Sequence, residues 1–494
     1  MRNLVLGVVC AMASCVGAAG LEEFQVTVDP GVEIGPVKDM HAVNNGPSVK
    51  KLAKDDQMRG NFDEYRAMRT PFARTHDSIN CVPGGAHAVD ITAVFPDFDA
   101  DENDPKSYDF TFTDEYMATI RAAGTEVFFR LGQTIEHGSK KYGIYPPKDF
   151  AKWARICEHV IRHYNEGWGW EKPEEYKDQF KIRYWEIWNE PDLGHWMWQT
   201  NPRTWAGTGE QFDEFYAVAA KHLKGTFPHL KIGGPALAGD EAWGERFIAH
   251  CKTNSVPLDF FSWHIYSVEP PQVAAKAVRM RKLLDKYGFE KSESILNEWN
   301  YVKGWTGDYV YSADAMCGGN NMKGAAFVAA VMSACQDAPV DMLMYYDARI
   351  DTIFNGLFDR VRLYPLKAYY AIYAWSRMKD YGAQVKAEIG RAGSPLPVGQ
   401  AGCGLYATAV IGRAGRLLPA EGDKTALFLA RYSSDNNVTS DVKVKVSVTG
   451  RPLGATHAYL TDSVRSYTEV PLVPDEDGML TIKMQPLSFA LVEL

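Results

Sequence analysis

Eight short runs of apolar and β-branched residues recur between residues 36 and 380, and longer stretches compatible with helices separate them. Strands that alternate with helices predict a parallel sheet, and eight such units close into a barrel. The predicted fold class is therefore α/β, with a (β/α)8 TIM barrel. The runs are Val37–Val43, Phe72–His76, Glu126–Leu131, Arg183–Trp188, Leu230–Gly234, Asp259–His264, Ser294–Glu298 and Asp341–Tyr346.

The segments between the runs carry apolar residues at the spacing of a helix face. In Phe150–Tyr164, Gln211–Leu223 and Pro271–Tyr287 these residues recur three and four positions apart, which predicts helices. In barrels of this kind the chemistry lies at the C-terminal ends of the strands. Polar residues at those ends are therefore the candidates for function.

The sequence pattern changes after about residue 385, where glycine and proline punctuate Gly390–Gly404. The alternating segments that follow predict antiparallel strands, and they are Ala426–Tyr432, Val442–Val448, Ala455–Thr461 and Leu480–Met484. We predict a catalytic barrel over residues 36–384 and an accessory antiparallel β-sandwich over residues 385–494. Glu23–Val28 also alternates, which makes residues 21–35 a candidate source of one more strand for the sandwich.

Residues 1–20 have the pattern of an export signal, with Arg2, an apolar run over Leu4–Ala13 and small residues up to Gly20. We predict a signal peptide and an exported protein, located in the periplasm, at the cell surface or in the medium. The alternative is a buried N-terminal helix. Met12-Ala13-Ser14-Cys15 resembles a bacterial lipobox, so a lipid anchor on Cys15 is the single membrane attachment that we expect.

Composition argues against several kinds of partner. The net charge of -9 and the lack of a lysine or arginine cluster argue against nucleic acid, whose binding depends on phosphate neutralisation. Of the eight cysteines, Cys10 and Cys15 lie in the predicted signal, and the other six lack the spacing of a zinc site. His159 and His163 share a helix face but lack the glutamate of a zincin motif. We expect no metal and no cofactor, and the sequence does not specify an oligomeric state.

Two glutamates end the fourth and the seventh run. Glu190 follows Trp185-Glu186-Ile187-Trp188-Asn189, and Glu298 lies in Ile295-Leu296-Asn297-Glu298-Trp299. Side chains at these strand ends face one another across a barrel mouth. Retaining glycoside hydrolysis needs such a pair, because one carboxylic acid protonates the leaving oxygen and another, about 5 to 5.5 Å away, attacks the anomeric carbon. The alternative for each glutamate is an ordinary strand-end carboxylate.

These motifs resemble glycoside hydrolase clan A, and within it family 39, the β-xylosidase and α-L-iduronidase family. Asn189-Glu190-Pro191-Asp192-Leu193 carries the Asn-Glu-Pro motif of the clan, and Arg74-Thr75-His76-Asp77, Tyr108-Asp109-Phe110-Thr111-Phe112 and Phe261-Ser262-Trp263-His264-Ile265-Tyr266 support the family. The resemblance covers roughly residues 24–494. It implies a retaining hydrolase with Glu190 as the general acid/base and Glu298 as the nucleophile.

Roles for four further residues follow from the resemblance. Asn189 is expected to hydrogen-bond the sugar 2-hydroxyl. His76 and His264 are expected to reach substrate hydroxyls or the surroundings of the nucleophile, and Tyr266 to hold the nucleophile through its hydroxyl. The alternatives are a turn asparagine, core histidines and a tyrosine that only packs.

Asp347 departs from the family pattern, because it stands where many clan members present an aromatic platform. It either binds a sugar hydroxyl or pairs with Arg349. The departure leaves the mechanism intact but opens the choice of sugar to arabinose, a galactose unit or a small disaccharide unit. Trp196 and Trp299, which lie next to the two glutamate motifs, are further candidates for substrate binding.

The sequence as a whole predicts an exported, retaining, exo-acting glycosidase for plant-type oligosaccharides, similar to a β-xylosidase or to a related arabinosidase or galactosidase. Exo action rests on the habit of the family and on the long segments Ile79–Asp109 and Asp192–Gln211, which could wall a pocket. One alternative is a catalytically silent carbohydrate-binding barrel, which would not hydrolyse aryl glycosides. Another is a metal-dependent hydrolase, which a chelator would inactivate.

Overall fold

The computed structural model of the chain describes residues 21–47, 49–51, 58–76, 88–136, 139–176, 179–195, 201–304, 321–350, 355–359, 362–391, 394–395, 403–412 and 424–494. The strands are β1 (Glu22–Pro36), β2 (Asp39–Asn44), β3 (Val49–Lys51), β4 (Met58–Gly60), β5 (Phe72–Arg74), β6 (Glu126–Leu131), β7 (Tyr184–Ile187), β8 (Lys231–Leu237), β9 (Phe260–Ser267), β10 (Glu293–Tyr301), β11 (Met342–Tyr345), β12 (Gly382–Arg391), β13 (Ser394–Pro395), β14 (Leu405–Gly412), β15 (Lys424–Arg431), β16 (Val442–Val448), β17 (Thr456–Thr461), β18 (Thr468–Leu472), β19 (Leu480–Met484) and β20 (Ser488–Glu493). The helices are α1 (Phe62–Ala67), α2 (Ile91–Val94), α3 (Thr111–Ala122), α4 (Phe150–Glu166), α5 (Pro173–Tyr176), α6 (Gly209–Thr226), α7 (Glu241–Thr253), α8 (Pro270–Lys286), α9 (Met322–Gln336) and α10 (Lys367–Met378), with a 3-10 turn over Pro105–Ser107.

Eight strands form a closed barrel in the order β10-β11-β2-β5-β6-β7-β8-β9, and every neighbouring pair is parallel. Each of the eight predicted runs overlaps one of these strands, and the three predicted helices overlap α4, α6 and α8. The predicted TIM barrel is therefore confirmed. Because all eight strands run the same way, the loops that follow them share one face of the barrel.

Alternate residues of each barrel strand face the barrel interior and the surrounding helices. In β7, Tyr184 belongs to a small buried cluster inside the barrel, whereas Trp185 and Ile187 belong to the large cluster between barrel and helices. The interior cluster closes the lower barrel, so the polar residues near the C-terminal strand ends lie above an apolar floor. Its members are Ala42, Phe72, Phe128, Tyr184, Phe260, Ile295, Met342 and Met344.

Helix α4 illustrates how local sequence defines the outer ring of helices. Asp149 accepts a hydrogen bond from the backbone N–H of Lys152 at its start, and Gly167, with a φ of 80°, follows its last residue. An aspartate before a helix and a left-handed glycine after it satisfy the backbone groups that the helix ends leave free. Between these caps, Trp153 and Val160 are among the residues buried against the barrel.

The second sheet follows the order β18-β17-β20-β15-β14-β12-β1-β16-β19, with β13 paired to β12. Its pairs are antiparallel except for one, since β1 pairs antiparallel with β12 but parallel with β16. The sheet is therefore antiparallel, as predicted, except where β1 from the candidate segment pairs parallel with β16, so that the sheet as a whole is mixed. The sheet has its own buried core, to which Val26, Leu427 and Val444 contribute.

Helix α9 packs between the barrel and the second sheet. It is apolar around most of its circumference, and residues on all its sides are buried. A helix of this kind needs neighbours on both sides. The Ser333 hydroxyl lies 2.7 Å from the Thr408 hydroxyl of β14, so this helix also forms a polar contact with the second sheet.

Cys157, Cys251 and Cys335 are buried free thiols. Within the ranges given above, no helix combines the length and the apolar character needed to cross a membrane.

Candidate active site

Glu190 lies three residues beyond the end of β7, at the mouth of the barrel. The backbone φ is 76° at Trp188 and 47° at Glu190, so the chain leaves the strand through two left-handed residues. Residues with side chains rarely adopt this conformation without support. The Glu190 N–H donates to the Ala236 carbonyl at 2.9 Å, and the Thr204 hydroxyl donates to the Glu190 carbonyl at 2.5 Å. The neighbouring strand and a following loop thus fix the position of Glu190.

Glu298 lies within β10, where the pairing with β9 shifts register between Leu296 and Glu298. Such a bulge changes the direction of the side chains that follow it. Glu298 contacts polar groups of the mouth, whereas the fully buried Trp299 ring packs on Tyr345 at 5.6 Å and on Phe327 at 6.3 Å between ring centres. The structure therefore places Trp299 in the core between barrel and helices, and the expectation that it binds substrate lacks support.

The structure brings Glu190 and Glu298 together. One ligand atom from each of Glu190, His264 and Glu298 lies within 4.8 Å of the other two. His264 Nδ1 is 2.7 Å from Glu190 Oε1 and 3.6 Å from Glu298 Oε2. The two glutamates are 5% and 3% exposed. They form a nearly buried pair of carboxyl groups with an imidazole beside them.

Glu298 is surrounded by hydrogen-bond donors. The Tyr266 hydroxyl donates to Oε1, and Arg74 Nη1 and His76 Nε2 each lie 3.5 Å from Oε2. Burial raises the pKa of Tyr266 well above its ordinary value, so its hydroxyl keeps the proton that it donates. These donors stabilise the ionised form of Glu298 against the opposing effect of burial. His76, Tyr266 and His264, which the sequence predicted separately, all lie at this pair.

The two carboxyl groups differ in their electrostatic surroundings. Burial raises the pKa of Glu190 to about 8, and the charge of Asp192 adds to this effect. Burial also raises the pKa of Glu298, but the Arg74 guanidinium and the Tyr266 hydroxyl oppose the rise. Burial lowers the pKa of His264 to about 4, so its imidazole is neutral at pH 7. At neutral pH, Glu190 is the carboxyl group that holds a proton.

Asn189 lies beside the pair and is fully buried. Its Oδ1 accepts a hydrogen bond from Arg74 Nη2 at 2.6 Å. Its Nδ2 has no hydrogen-bond partner within the described part of the chain. A buried amide N–H without a partner is costly, so a donor left in this state at a site mouth is suited to a ligand oxygen.

Two charged residues of the site, Arg74 and Glu186, were not selected as site residues from the sequence. Both are fully buried, and Arg74 Nε donates to Glu186 Oε2 at 2.7 Å. Arg74 did appear in the motif at the end of the second run, and Glu186 is a charged residue inside an apolar strand. A charge within a buried strand was therefore the signal that could have identified them.

Asp347 is enclosed by protein groups. Its Oδ2 accepts hydrogen bonds from Asn45 Nδ2 at 2.9 Å and from Arg349 Nε, and the side chain is fully buried. Of the two alternatives for this residue, the contacts favour the pairing with Arg349. Trp196, a further predicted binding residue, lies outside the described residues.

Glu190, His264 and Glu298 are also the one cluster in the described ranges whose spacing could hold a metal ion. His264 Nδ1 and Glu190 Oε1, however, already form a 2.7 Å hydrogen bond. If a metal ion were bound here, both atoms would direct a lone pair at the ion. They could then not keep the hydrogen bond that joins them, and the ion would have to separate them. Their arrangement is that of an acid–imidazole hydrogen bond.

A groove of about 720 Å³ lies beside the loop that carries Glu190. His195 and the segment before α6 form one wall, and Asp240, Trp243 and Arg246 at the start of α7 form the other. Asp192 links the groove to the site, because its carboxylate accepts the backbone N–H of Asp240 at 2.9 Å. The lining of this groove includes neither Glu190 nor Glu298, so the groove neighbours the site without being part of it.

Comparison with known proteins finds partial matches to two curated relatives. A Beta-xylosidase of Geobacillus stearothermophilus is 28% identical over 193 residues, which are 37% of this chain and 35% of that protein. A Beta-xylosidase of Caldicellulosiruptor saccharolyticus is 32% identical over 154 residues, which are 31% of this chain and 27% of that protein. The chain thus matches about a third of the length of these curated relatives.

Among solved structures, a glucosidase from Croceicoccus marinus superimposes with a TM-score of 0.69 at 22% identity, covering 95% of this chain and 98% of that one. This likeness shows a shared fold. The family model for glycosyl hydrolases family 39 matches residues 28–358. Because this match spans the barrel strands and both glutamates, the chain belongs to glycosyl hydrolases family 39.

Proposed function

We propose that the protein is a retaining, exo-acting glycosidase similar to a β-xylosidase, with Glu190 as the general acid/base and Glu298 as the nucleophile. The observation that carries this proposal is the approach of the two carboxyl groups. One carboxylate oxygen of Glu190 lies within 4.8 Å of one carboxylate oxygen of Glu298. Retaining enzymes place their carboxyl groups about 5 to 5.5 Å apart, whereas inverting enzymes need about 6.5 to 9.5 Å to admit a water molecule.

In the first step, Glu298 attacks the anomeric carbon while Glu190 gives its proton to the leaving glycosidic oxygen. The C–O bond to the leaving group breaks, and a covalent glycosyl ester forms on Glu298. The pKa of about 8 keeps Glu190 protonated for this task at neutral pH. The neutral His264, 2.7 Å away, holds the Glu190 carboxyl without adding charge.

In the second step, Glu190 removes a proton from water, and the resulting hydroxide displaces Glu298 from the sugar. Formation of the ester cancels the charge of Glu298, which lowers the pKa of Glu190 and prepares it to act as a base. Asn189 Nδ2, which has no hydrogen-bond partner among the described residues, is suited to a sugar hydroxyl, and a contact that strengthens in the transition state contributes to the rate.

The names of the matched curated relatives support a β-xyloside as the substrate. The enclosed Asp347, where many clan members present an aromatic platform, keeps arabinosides and galactosides in the proposal. A screen of nitrophenyl glycosides, followed by xylan and arabinogalactan oligosaccharides, tests the sugar. Failure to hydrolyse any of them would favour a silent binding barrel.

The same proposal includes export from the cell. The charged start, apolar run and small residues of positions 1–20 support it, and the lipobox-like Met12-Ala13-Ser14-Cys15 supports a lipid anchor on Cys15. Fractionation of cells expressing the full chain, with and without Cys15→Ser, tests both ideas. Loss of membrane attachment in the variant is the expected result.

Azide rescue of two variants tests the catalytic roles. Glu298→Ala should lose almost all turnover and form a glycosyl azide of inverted configuration when azide is added, because azide replaces the missing nucleophile. Glu190→Ala should keep activity on substrates with good leaving groups and form an azide product of retained configuration. If the two variants exchanged these behaviours, the assignment of roles would be wrong although the pair is correct.

A further inference from the structure

Glu186 is a fully buried carboxylate that the proposed hydrolysis does not use. It lies in β7, four residues before Glu190 and two residues after Tyr184. Like Tyr184 it faces the barrel interior, one layer of side chains above the apolar floor. Burying a carboxylate is costly unless the surrounding groups compensate its charge. A residue of this kind in the centre of an active-site barrel therefore calls for a physical reason.

Donors from three other strands surround Glu186. Its Oε2 accepts from Arg74 Nε of β5 at 2.7 Å, and its Oε1 accepts from the Ser262 hydroxyl of β9 at 2.6 Å and from Asn297 Nδ2 of β10 at 2.5 Å. Ser262 in turn accepts the backbone N–H of Ala236 of β8, so its hydroxyl proton is directed to Glu186. A neutral amide in this place could not accept all three hydrogen bonds on the same atoms.

The Arg74 guanidinium is shared between this buried carboxylate and the site. Arg74 Nε is 2.7 Å from Glu186, Nη2 is 2.6 Å from Asn189, and Nη1 is 3.0 Å from Asn44. The nearest distance from Arg74 to Glu298 is longer, at 3.5 Å. A close arginine–carboxylate hydrogen bond would be about 2.7 to 2.9 Å. Arg74 is thus drawn towards Glu186 and away from the nucleophile.

We propose that Glu186 is a positioning residue that holds Arg74 against Asn189 and prevents it from closing into a tight ion pair with Glu298. At 3.5 Å the guanidinium stabilises the charge of the nucleophile and leaves its oxygen available for attack. A tight pair would lower both the pKa and the nucleophilicity of Glu298. This inference rests on the proposed function, because it gives Glu298 the role of nucleophile.

Other charged and titratable groups also face this layer of the barrel. They come from β6, β9, β10 and the segments after β5 and β7, and they are Arg130 with its partner Asp90 at 2.8 Å, His264, Glu298, His76 and Glu190. Arg130 is bound to Asp90, so Arg74 is the cation that Glu186 positions. Removing the charge of Glu186 therefore acts on Glu298 and Glu190 mainly through Arg74.

The test is the pH dependence of kcat/KM for an aryl β-xyloside, or for the best aryl glycoside of the screen, with wild type, Glu186→Gln and Glu186→Asp. The acid limb reports ionisation of Glu298 and the basic limb reports deprotonation of Glu190 in the free enzyme. Glu186→Gln should lower kcat, leave KM within about two-fold, and move both limbs to lower pH. A shift of about one to two pH units is expected for a unit charge at roughly 7 Å in an effective dielectric constant of about 20.

Glu186→Asp covers the case in which the glutamine variant does not fold. It keeps the charge but withdraws the carboxylate from Arg74 by one methylene group, so both limbs should move in the same direction by a smaller amount. Asp213→Asn is the matched control, since Asp213 is a buried carboxylate that pairs with Arg246 at 3.0 Å between α6 and α7, away from the two glutamates. The control should lower thermal stability and leave both limbs in place.

The outcomes separate this inference from the function on which it rests. Folded Glu186 variants that lose activity with unmoved limbs would show a packing role and overturn the inference, and so would a rise in KM at unchanged kcat. A wild type that hydrolyses no glycoside would overturn the proposed function, and the inference with it. An active wild type with downward shifts in the Glu186 variants alone is the result that we expect.

Discussion

Replacing Tyr266 with phenylalanine removes one hydrogen-bond donor from the nucleophile and keeps the aromatic ring. The Tyr266 hydroxyl donates to Glu298 Oε1, whereas Arg74 and His76 approach Oε2 at 3.5 Å. A hydrogen bond to a charged group contributes about 1.5 to 3 kcal/mol. Because one pKa unit corresponds to about 1.4 kcal/mol, the pKa of Glu298 should rise by about one to two units in the variant.

The direction of the effect follows from the charge of the acceptor. The hydroxyl of Tyr266 stabilises the ionised form of Glu298 and so lowers its pKa. Without this donor the carboxyl group needs a higher pH to ionise, and the acid limb of kcat/KM should move upwards by the same one to two units. At a pH below the limb of the wild type, kcat/KM should therefore fall by about 10- to 100-fold.

The assay compares the pH profiles of wild type, Tyr266→Phe and Tyr216→Phe on an aryl β-xyloside. Tyr216 is a fully buried control whose hydroxyl donates to the Pro257 carbonyl at 3.3 Å, in the layer between barrel and helices. The control should keep the acid limb of the wild type. An acid limb that stays in place or moves to lower pH in Tyr266→Phe, while Tyr216→Phe behaves as the wild type, would refute the reasoning.

Two further predictions concern stability. Glu190→Gln should stabilise the fold at pH 8 and not at pH 4, because a carboxyl group whose pKa rises to about 8 in the folded state contributes stability below its unfolded pKa of about 4.3 that is lost as the pH increases. Urea unfolding should show a gain of up to about 5 kcal/mol at pH 8, and equal gains at both pH values would contradict the raised pKa. Trp299→Phe should lower the free energy of unfolding by about 1 to 3 kcal/mol with KM unchanged, since its ring is in the core. A raised KM at unchanged stability would instead place that ring at the substrate.

Much of the barrel could be predicted because its strands are buried on both faces and appear in the sequence as continuous apolar runs. The second sheet was harder to predict. Glycine and proline near residue 390 concealed β12 (Gly382–Arg391) and β14 (Leu405–Gly412), although they pair directly. The parallel pairing of β1 with β16 was also hidden, because periodicity identifies the buried face of a strand but not its partner.

In the site, the sequence was informative wherever a polar residue ended an apolar strand. Glu190 and Glu298 were identified in this way, and the structure places them together. The substrate-binding role predicted for Trp299 lacks support, because a bulge beside the nucleophile decides which neighbouring side chain faces the core. No local sequence pattern predicts this bulge. The partner of Asp347 could be a sugar hydroxyl or Arg349, since only the three-dimensional structure shows that Arg349 and Asn45 enclose it.

The two glutamates differ in the groups that surround them. Arg74 is hydrogen-bonded to Glu186 and lies 3.5 Å from Glu298, whereas Glu190 has the neutral His264 as its partner. Two buried carboxyl groups this close cannot both ionise without cost, and burial together with the charge of Asp192 leaves the proton on Glu190. The same network therefore stabilises the barrel interior and determines which glutamate begins the reaction as an acid.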